Sequence, residues 1–212
     1  MNELSELALK HGTDKWGHHW YTDKYEELFK HLKQKPINLL EIGVGGYEFP
    51  DRGGGSIRMW KEYFTHGRIY AIDLYDKSQM EEDRIRIFRG SQIDHPFLNR
   101  VVAETGKFDI IIDDGSHQCS HQQNSFEYLF EHLTNDGIYV VEDTHTSYWE
   151  DYGGSTDLND SRSTINYFIN LVHRMHAVSN GLEPRPMDAQ IKSIQFFQNI
   201  VVVFKGENKN QT

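Results

Sequence analysis

The sequence predicts an α/β fold: a mostly parallel sheet with helices on both faces, closed by an antiparallel hairpin. Three observations predict it. Short apolar runs and stretches of helical periodicity alternate five times along the chain. One of the runs, Phe108–Ile112, is almost unbroken, as suits a strand buried on both faces. The last two runs, Ile191–Phe197 and Ile200–Phe204, meet at Gln198-Asn199, a two-residue link that makes them a hairpin.

Each element has its own signal. Asn2–Lys10 reads as a short helix, followed by a polar, aromatic loop from Gly12 to Tyr21. Thr22 is placed to cap a second helix with Tyr25, Leu28, Phe29 and Leu32 on one face, and Pro36 ends the connection. Strands are expected at Ile37–Ile42, Arg68–Leu74, Arg84–Phe88, Phe108–Ile112 and Ile138–Val141. Helices are expected at Ile57–Phe64, Phe97–Ala103, His117–Leu133 and Ser161–Val178. Asn135-Asp136-Gly137 reads as a turn, and Thr144 to Asp160 as a long polar loop. The hairpin brings the strand count to seven.

The bulk properties narrow the function. A chain of 212 residues, 37% hydrophobic, supports one well-buried core, so residues 1–212 read as a single domain. Within it, residues 1–35 hold the N-terminal helices and loop, and residues 36–206 the core. A net charge of -10 with scattered Lys and Arg disfavours nucleic acid as a partner. No apolar run is long enough to span a bilayer, and the acidic N-terminus lacks the apolar stretch of a signal peptide. The lone Cys119 allows no internal disulfide, so a reducing, cytoplasmic setting is expected.

In such sheets ligands bind beyond the carboxyl ends of the strands. After the first strand comes Glu41-Ile42-Gly43-Val44-Gly45-Gly46, a G-x-G-G turn that lets backbone approach a ligand, or simply a tight strand-to-helix turn. Gly53-Gly54-Gly55-Ser56 offers amides at the start of the next helix, where a carboxylate could sit. Asp73, thirty positions after Gly43, is placed to accept both ribose hydroxyls of a nucleoside, whether of S-adenosylmethionine (SAM) or of a nicotinamide cofactor. Ser91 and Gln92, after the third strand, could read an adenine edge; Ser91 or Asp94 could equally cap the next helix.

The strongest local signal follows the fourth and fifth strands, at Asp113-Asp114-Gly115-Ser116-His117 and Glu142-Asp143. Parallel neighbours would gather four carboxylates at one sheet edge, where they repel one another. A hard cation such as Mg²⁺ removes that conflict, while helix capping or pairing with Arg or Lys are the plainer alternatives. His117, at the mouth of the next helix, is a candidate general base, held neutral by the helix dipole. A zinc site of His117 and His121, four residues apart, is a weaker option, since the Glu of a zinc protease motif is lacking.

These motifs, in this order, resemble the macrocin and mycinamicin sugar O-methyltransferases. The resemblance runs from about Gly12 to Gly206. It rests on Gly12-Thr13-Asp14-Lys15-Trp16, His19-Trp20-Tyr21-Thr22, Leu40–Gly46, Asp51–Ser56, Gly90-Ser91-Gln92, Asp113–His117 and Glu142-Asp143-Thr144. The cephalosporin-biosynthesis methyltransferase is a more distant likeness. The resemblance implies a Rossmann-like class I methyltransferase fold with SAM across the first two strands. It implies Mg²⁺ on Asp114, Glu142 and Asp143, with His117 as base and Asp113 nearer the cofactor. It places Glu41, Gly43 and Gly45 in the SAM loop with Ser56 beyond it, Asp73 at the ribose, and Ser91 with Gln92 at the adenine. The implied partner is a small molecule with a vicinal diol, a sugar first, in natural-product or polysaccharide biosynthesis. Relatives form dimers or larger assemblies, and the macrolide enzymes carry an N-terminal domain that is not expected here. Two rivals remain. One is a nicotinamide-dependent oxidoreductase, opposed by the G-x-G-G spacing and the closing hairpin. The other is a non-catalytic SAM-binding protein, opposed by the complete acid and histidine set.

Overall fold

The computed structural model describes residues 1–208, which divide into two compact units, residues 1–91 and 92–208. The first holds α1 (Glu3–His11), α2 (Thr22–Phe29), β1 (Asn38–Ile42), α3 (Gly55–Tyr63), β2 (Arg68–Asp73) and β3 (Ile85–Arg89). Its strands are parallel in the order β3-β2-β1, with Leu40 opposite Tyr70 and Ile72 opposite Phe88. Leu39, Leu40, Ile69 and Ala71 are inaccessible to solvent. The helices contribute an aromatic cluster in which Tyr25 stacks on Phe29 and meets the edge of Trp60, each at 5.2 Å between ring centres.

Local chemistry sets the ends of these elements. Asn2 lies outside α1 and caps it, its side chain accepting from the Ser5 amide, and Gly12 ends it with φ +67°. Thr22 is not the cap expected. It is the first residue of α2, and its hydroxyl is taken by Ser5 Oγ at 2.8 Å, a tertiary contact that outcompetes local capping. Arg84, itself at φ +63°, closes α3 by donating to the carbonyls of Lys61, Phe64 and Gly67.

The second unit holds α4 (His95–Thr105), β4 (Phe108–Asp113), α5 (Cys119–Leu129), β5 (Leu133–Val141), α6 (Thr164–Arg174), β6 (Ile191–Phe197) and β7 (Ile200–Lys205). β4 and β5 are parallel; β7 lies antiparallel to β5 and pairs with β6 on its other side. The hairpin expected at Gln198-Asn199 is present, with Asn199 at φ +62°. It is the last strand, not the one before it, that reaches β5. Seven strands are thus present in the two units, as expected.

Several boundaries differ from expectation by one to five residues, and three of the starts have a local cause. β5 starts five residues before Ile138, because the Asn135–Gly137 turn is accommodated as an irregularity: Phe108 pairs with Leu133 but Ile110 with Ile138. α5 starts at Cys119, leaving His117 outside the helix with φ +55°. α6 starts at Thr164, capped by the Ser163 hydroxyl. Of the two capping options for α4, Asp94 fills the role, its carboxylate accepting from the Phe97 amide.

Candidate active site

In the first unit the expected ligand-binding residues sit at the carboxyl ends of the strands. Gly43 follows β1 and its amide donates to the Ile72 carbonyl at 2.8 Å. Asp73 ends β2 and its carboxylate accepts from the amides of Val44 (2.9 Å) and Tyr75 (2.8 Å). That ties the acid to the glycine turn and leaves each oxygen a further lone pair. Gly43, Gly45 and Gly46 all have positive φ. The second glycine group packs on the first: a Cβ at Gly46 would lie 2.2 Å from the Arg52 carbonyl oxygen, and one at Gly53 would lie 2.4 Å from that of Gly45. The Gly54 amide donates to the Val44 carbonyl, so it is not free for a ligand. Ser91 follows β3 by two residues.

Glu41 is buried, with one carboxylate oxygen accepting from Ser56 Oγ at 2.9 Å and the other 3.3 Å from Lys15 Nζ, itself 1% exposed. The loop from Gly12 to Tyr21 is therefore anchored through Lys15. Lys77, also buried, donates to the carbonyls of Phe49 (2.6 Å) and Arg52 (3.0 Å), securing the segment between the glycine groups. Neither lysine stood out in the sequence. Lys15 lies within the Gly-Thr-Asp-Lys-Trp motif, which marked the loop but not the ion pair.

In the second unit β4 and β5 run in register, Asp113 opposite Val141, and the Glu142 amide extends the ladder to the Asp113 carbonyl. The acids that follow both strands therefore emerge at one edge. Asp114, His117 and Asp143 each present a ligand atom within 4.8 Å of the others. His117 Nε2 is 3.5 Å from an Asp143 oxygen and 3.9 Å from one of Asp114. Its Nδ1 is buried without a hydrogen-bond partner, so Nε2 is the nitrogen that addresses the acids. Two carboxylates this close repel unless a positive charge lies between or beside them. Their oxygens and partial burial fit a hard divalent cation. Among the described residues, Glu142 is not in that group. It is 2% exposed, and its carbonyl accepts from Gln122 Nε2.

His121 departs from the zinc option. With His117 outside α5 the two are not one helical turn apart, and His121 Nδ1 is bonded to Ser116 Oγ at 2.8 Å. Burial lowers its pKa. A histidine the sequence did not single out, His145, lies with Nδ1 4.0 Å from Asp143, its ring in a T-shaped contact with Trp149 at 4.8 Å between ring centres.

Asp113 and Gln92 form a buried pair. The Gln92 amide nitrogen donates to both Asp113 oxygens (3.1 and 3.2 Å), Ser125 Oγ donates to one of them, and Gln92 Oε1 accepts from the Ser116 amide (3.0 Å). Burial pushes the Asp113 carboxyl up to about 6, against the opposing pull of Ser125, His117, Gln92 and the Gly115 amide. Asp113 is thus braced inside the unit, beneath the turn that carries Asp114 and His117.

No family model matches the chain. It is 42% identical, over 99% of its length, to an 8-demethyl-8-(2-methoxy-alpha-L-rhamnosyl)-tetracenomycin-C 3'-O-methyltransferase of Streptomyces olivaceus, covering 55% of that protein. It is 40% identical, over 97% of its length, to a mycinamicin VI 2''-O-methyltransferase of Micromonospora griseorubida, covering 53% of it. A solved methyltransferase of the mycinamycin biosynthetic pathway, in complex with Mg, SAH and mycinamycin VI, superposes with a TM-score of 0.95 at 40% identity. That match covers 99% of this chain and 55% of the other. The chain spans about half the length of the curated relatives it matches. At this likeness its fold is that of the class I SAM-dependent methyltransferases.

Proposed function

This chain is a homologue of the macrocin- and mycinamicin-type sugar O-methyltransferases, and from that premise we propose that it transfers a methyl group from SAM to a hydroxyl of a sugar or glycosylated small molecule, with Mg²⁺. The observation that carries the proposal is the convergence of Asp114, His117 and Asp143 beyond two parallel strands.

Asp114 and Asp143 would hold the cation, with Glu142 as the third acid. When bound there, Mg²⁺ lowers the pKa of a coordinated hydroxyl. The residues of this chain do the rest. His117 Nε2, facing the acids, takes the hydroxyl proton as the sugar oxygen forms its bond to the methyl carbon and the methyl–sulfur bond breaks. Asp143 and Asp114 stabilise the resulting imidazolium. Gly43 and Gly45 let the backbone approach the cofactor closely, with Glu41 and Ser56 fixing the turn from beneath. Asp73 takes the ribose hydroxyls, and Ser91 with Gln92 lies on the adenine side. Asp113 acts on the cofactor side through Gln92. A substrate with a vicinal diol, a sugar first, would suit the site, with His117 selecting the hydroxyl that loses its proton. Among the described residues no helix is long and apolar enough to cross a membrane, and we place the enzyme in the cytoplasm.

The test is SAH release from SAM with a panel of rhamnosides and related glycosides. Turnover should stop with a chelator, return with Mg²⁺, and be abolished in His117→Ala while SAM affinity is kept. Full activity of His117→Ala removes it from the base role. A thermal shift with NAD but not SAM favours an oxidoreductase instead.

A further inference from the structure

Two residues of the acid–histidine group have a backbone that side-chain-bearing residues seldom adopt: His117 at φ +55° and Asp143 at φ +53°. They belong to different turns, one after β4 and one after β5. A single hydroxyl joins them. Thr146 Oγ1, on a residue only 2% exposed, lies 3.0 Å from the His117 carbonyl oxygen and 3.0 Å from that of Asp143, so its single proton is shared between the two acceptors. Both accepting carbonyls belong to the positive-φ residues themselves. The Thr146 amide also donates to the Asp143 carbonyl, at 3.1 Å, so the threonine is seated on the acid's turn and reaches across to the base's.

We propose that Thr146 is a positioning residue: its hydroxyl clasps the two turns and fixes the spacing of His117 against Asp143, and so the geometry offered to the cation. This rests on the proposed function above. Carbonyls pinned to a shared donor fix the peptide planes from which the two side chains project. Outer hydrogen bonds of this kind orient metal-binding groups, and their loss commonly weakens affinity or activity 10- to 100-fold. The geometry also explains why threonine suits the position. The side chain is buried and its hydroxyl lies on the carbonyl side.

Thr146→Val keeps the shape and removes the donor; Thr146→Ser keeps the donor. The probe is Mn²⁺, its binding to the protein without SAM or substrate followed by electron paramagnetic resonance. Thr146→Val should bind Mn²⁺ about 10-fold or more weaker than wild type. Its kcat should fall in proportion while KM for SAM is unchanged, and Thr146→Ser should stay near wild type. Thr146→Ala should reproduce the loss, as a check on any misfit of the valine methyl. Wild-type Mn²⁺ affinity in either folded hydroxyl-less variant overturns the clasp while leaving the site itself standing. So does a serine variant no better than valine. Unfolding of both hydroxyl-less variants would make Thr146 a determinant of the fold and overturn the positioning role. A wild-type protein that binds no Mn²⁺ overturns the cation site and the clasp with it.

Discussion

Lys15→Met removes an ammonium from beside a carboxylate 3.3 Å away, where both side chains are all but inaccessible. At an effective dielectric constant of about 20, that pair attracts by about 5 kcal/mol. Losing one partner of a buried pair typically costs about 3–5 kcal/mol, because the remaining charge is left unneutralised. Ser56 Oγ still donates to Glu41 in the variant, which places the expected loss near the lower end, about 3 kcal/mol. For a chain of 212 residues this lowers Tm by roughly 6–12 °C. Urea unfolding followed by circular dichroism is the assay, and the midpoint should fall with little change in slope. The double variant Lys15→Met/Glu41→Gln should recover most of the loss, since no uncompensated charge remains. A single variant destabilised by less than about 1 kcal/mol, or a double variant worse than both singles combined, refutes the buried ion pair as the anchor of the loop.

Two further predictions concern the buried network and the glycine segment. Asp113 has its pKa raised in the folded state to about 6, above its ordinary unfolded value. Its contribution to stability is therefore greatest below pH 4 and is lost as pH rises through 6. Relative to Asp113→Asn, the wild type should lose about 2 kcal/mol between pH 4 and pH 7 in urea unfolding; parallel pH profiles would contradict this. Lys77→Met leaves the Arg52 carbonyl without its lysine donor, at a cost of about 1–3 kcal/mol, and should speed amide exchange across residues 46–54. Exchange unchanged there would show that Lys77 does not secure the segment.

Much of the fold was legible because local pattern and tertiary role agree. Phe108–Ile112 is apolar but for Asp109, and Phe108, Ile110, Ile111 and Ile112 are all inaccessible to solvent; Gln198-Asn199 makes the turn its spacing implies. The acids after β4 and β5 could be placed at one edge because parallel pairing alone puts them there. What escaped was set by contacts distant in sequence. Lys15 finds Glu41, Thr22 finds Ser5 and Lys77 finds Phe49 only after the elements pack. Periodicity ran α5 back to His117, but the positive φ of that residue, braced by Thr146 and reached through Gly115, holds it in a turn. Thr146 carried no signal of its own, since a threonine just beyond a strand end is commonplace. His145 was one of twelve histidines, and its approach to Asp143 depends on the 3-10 turn at Thr144–Tyr148.

In the proposed mechanism the acids beyond β4 and β5 hold a divalent cation beside His117. The anomalous difference map of a crystal grown with Mn²⁺ shows whether they do. One strong peak is expected about 2.0–2.3 Å from carboxylate oxygens of both Asp114 and Asp143, with His117 Nε2 adjacent. A map with Mn²⁺ bound elsewhere, or with these two carboxylates free of metal at saturating Mn²⁺, would contradict it.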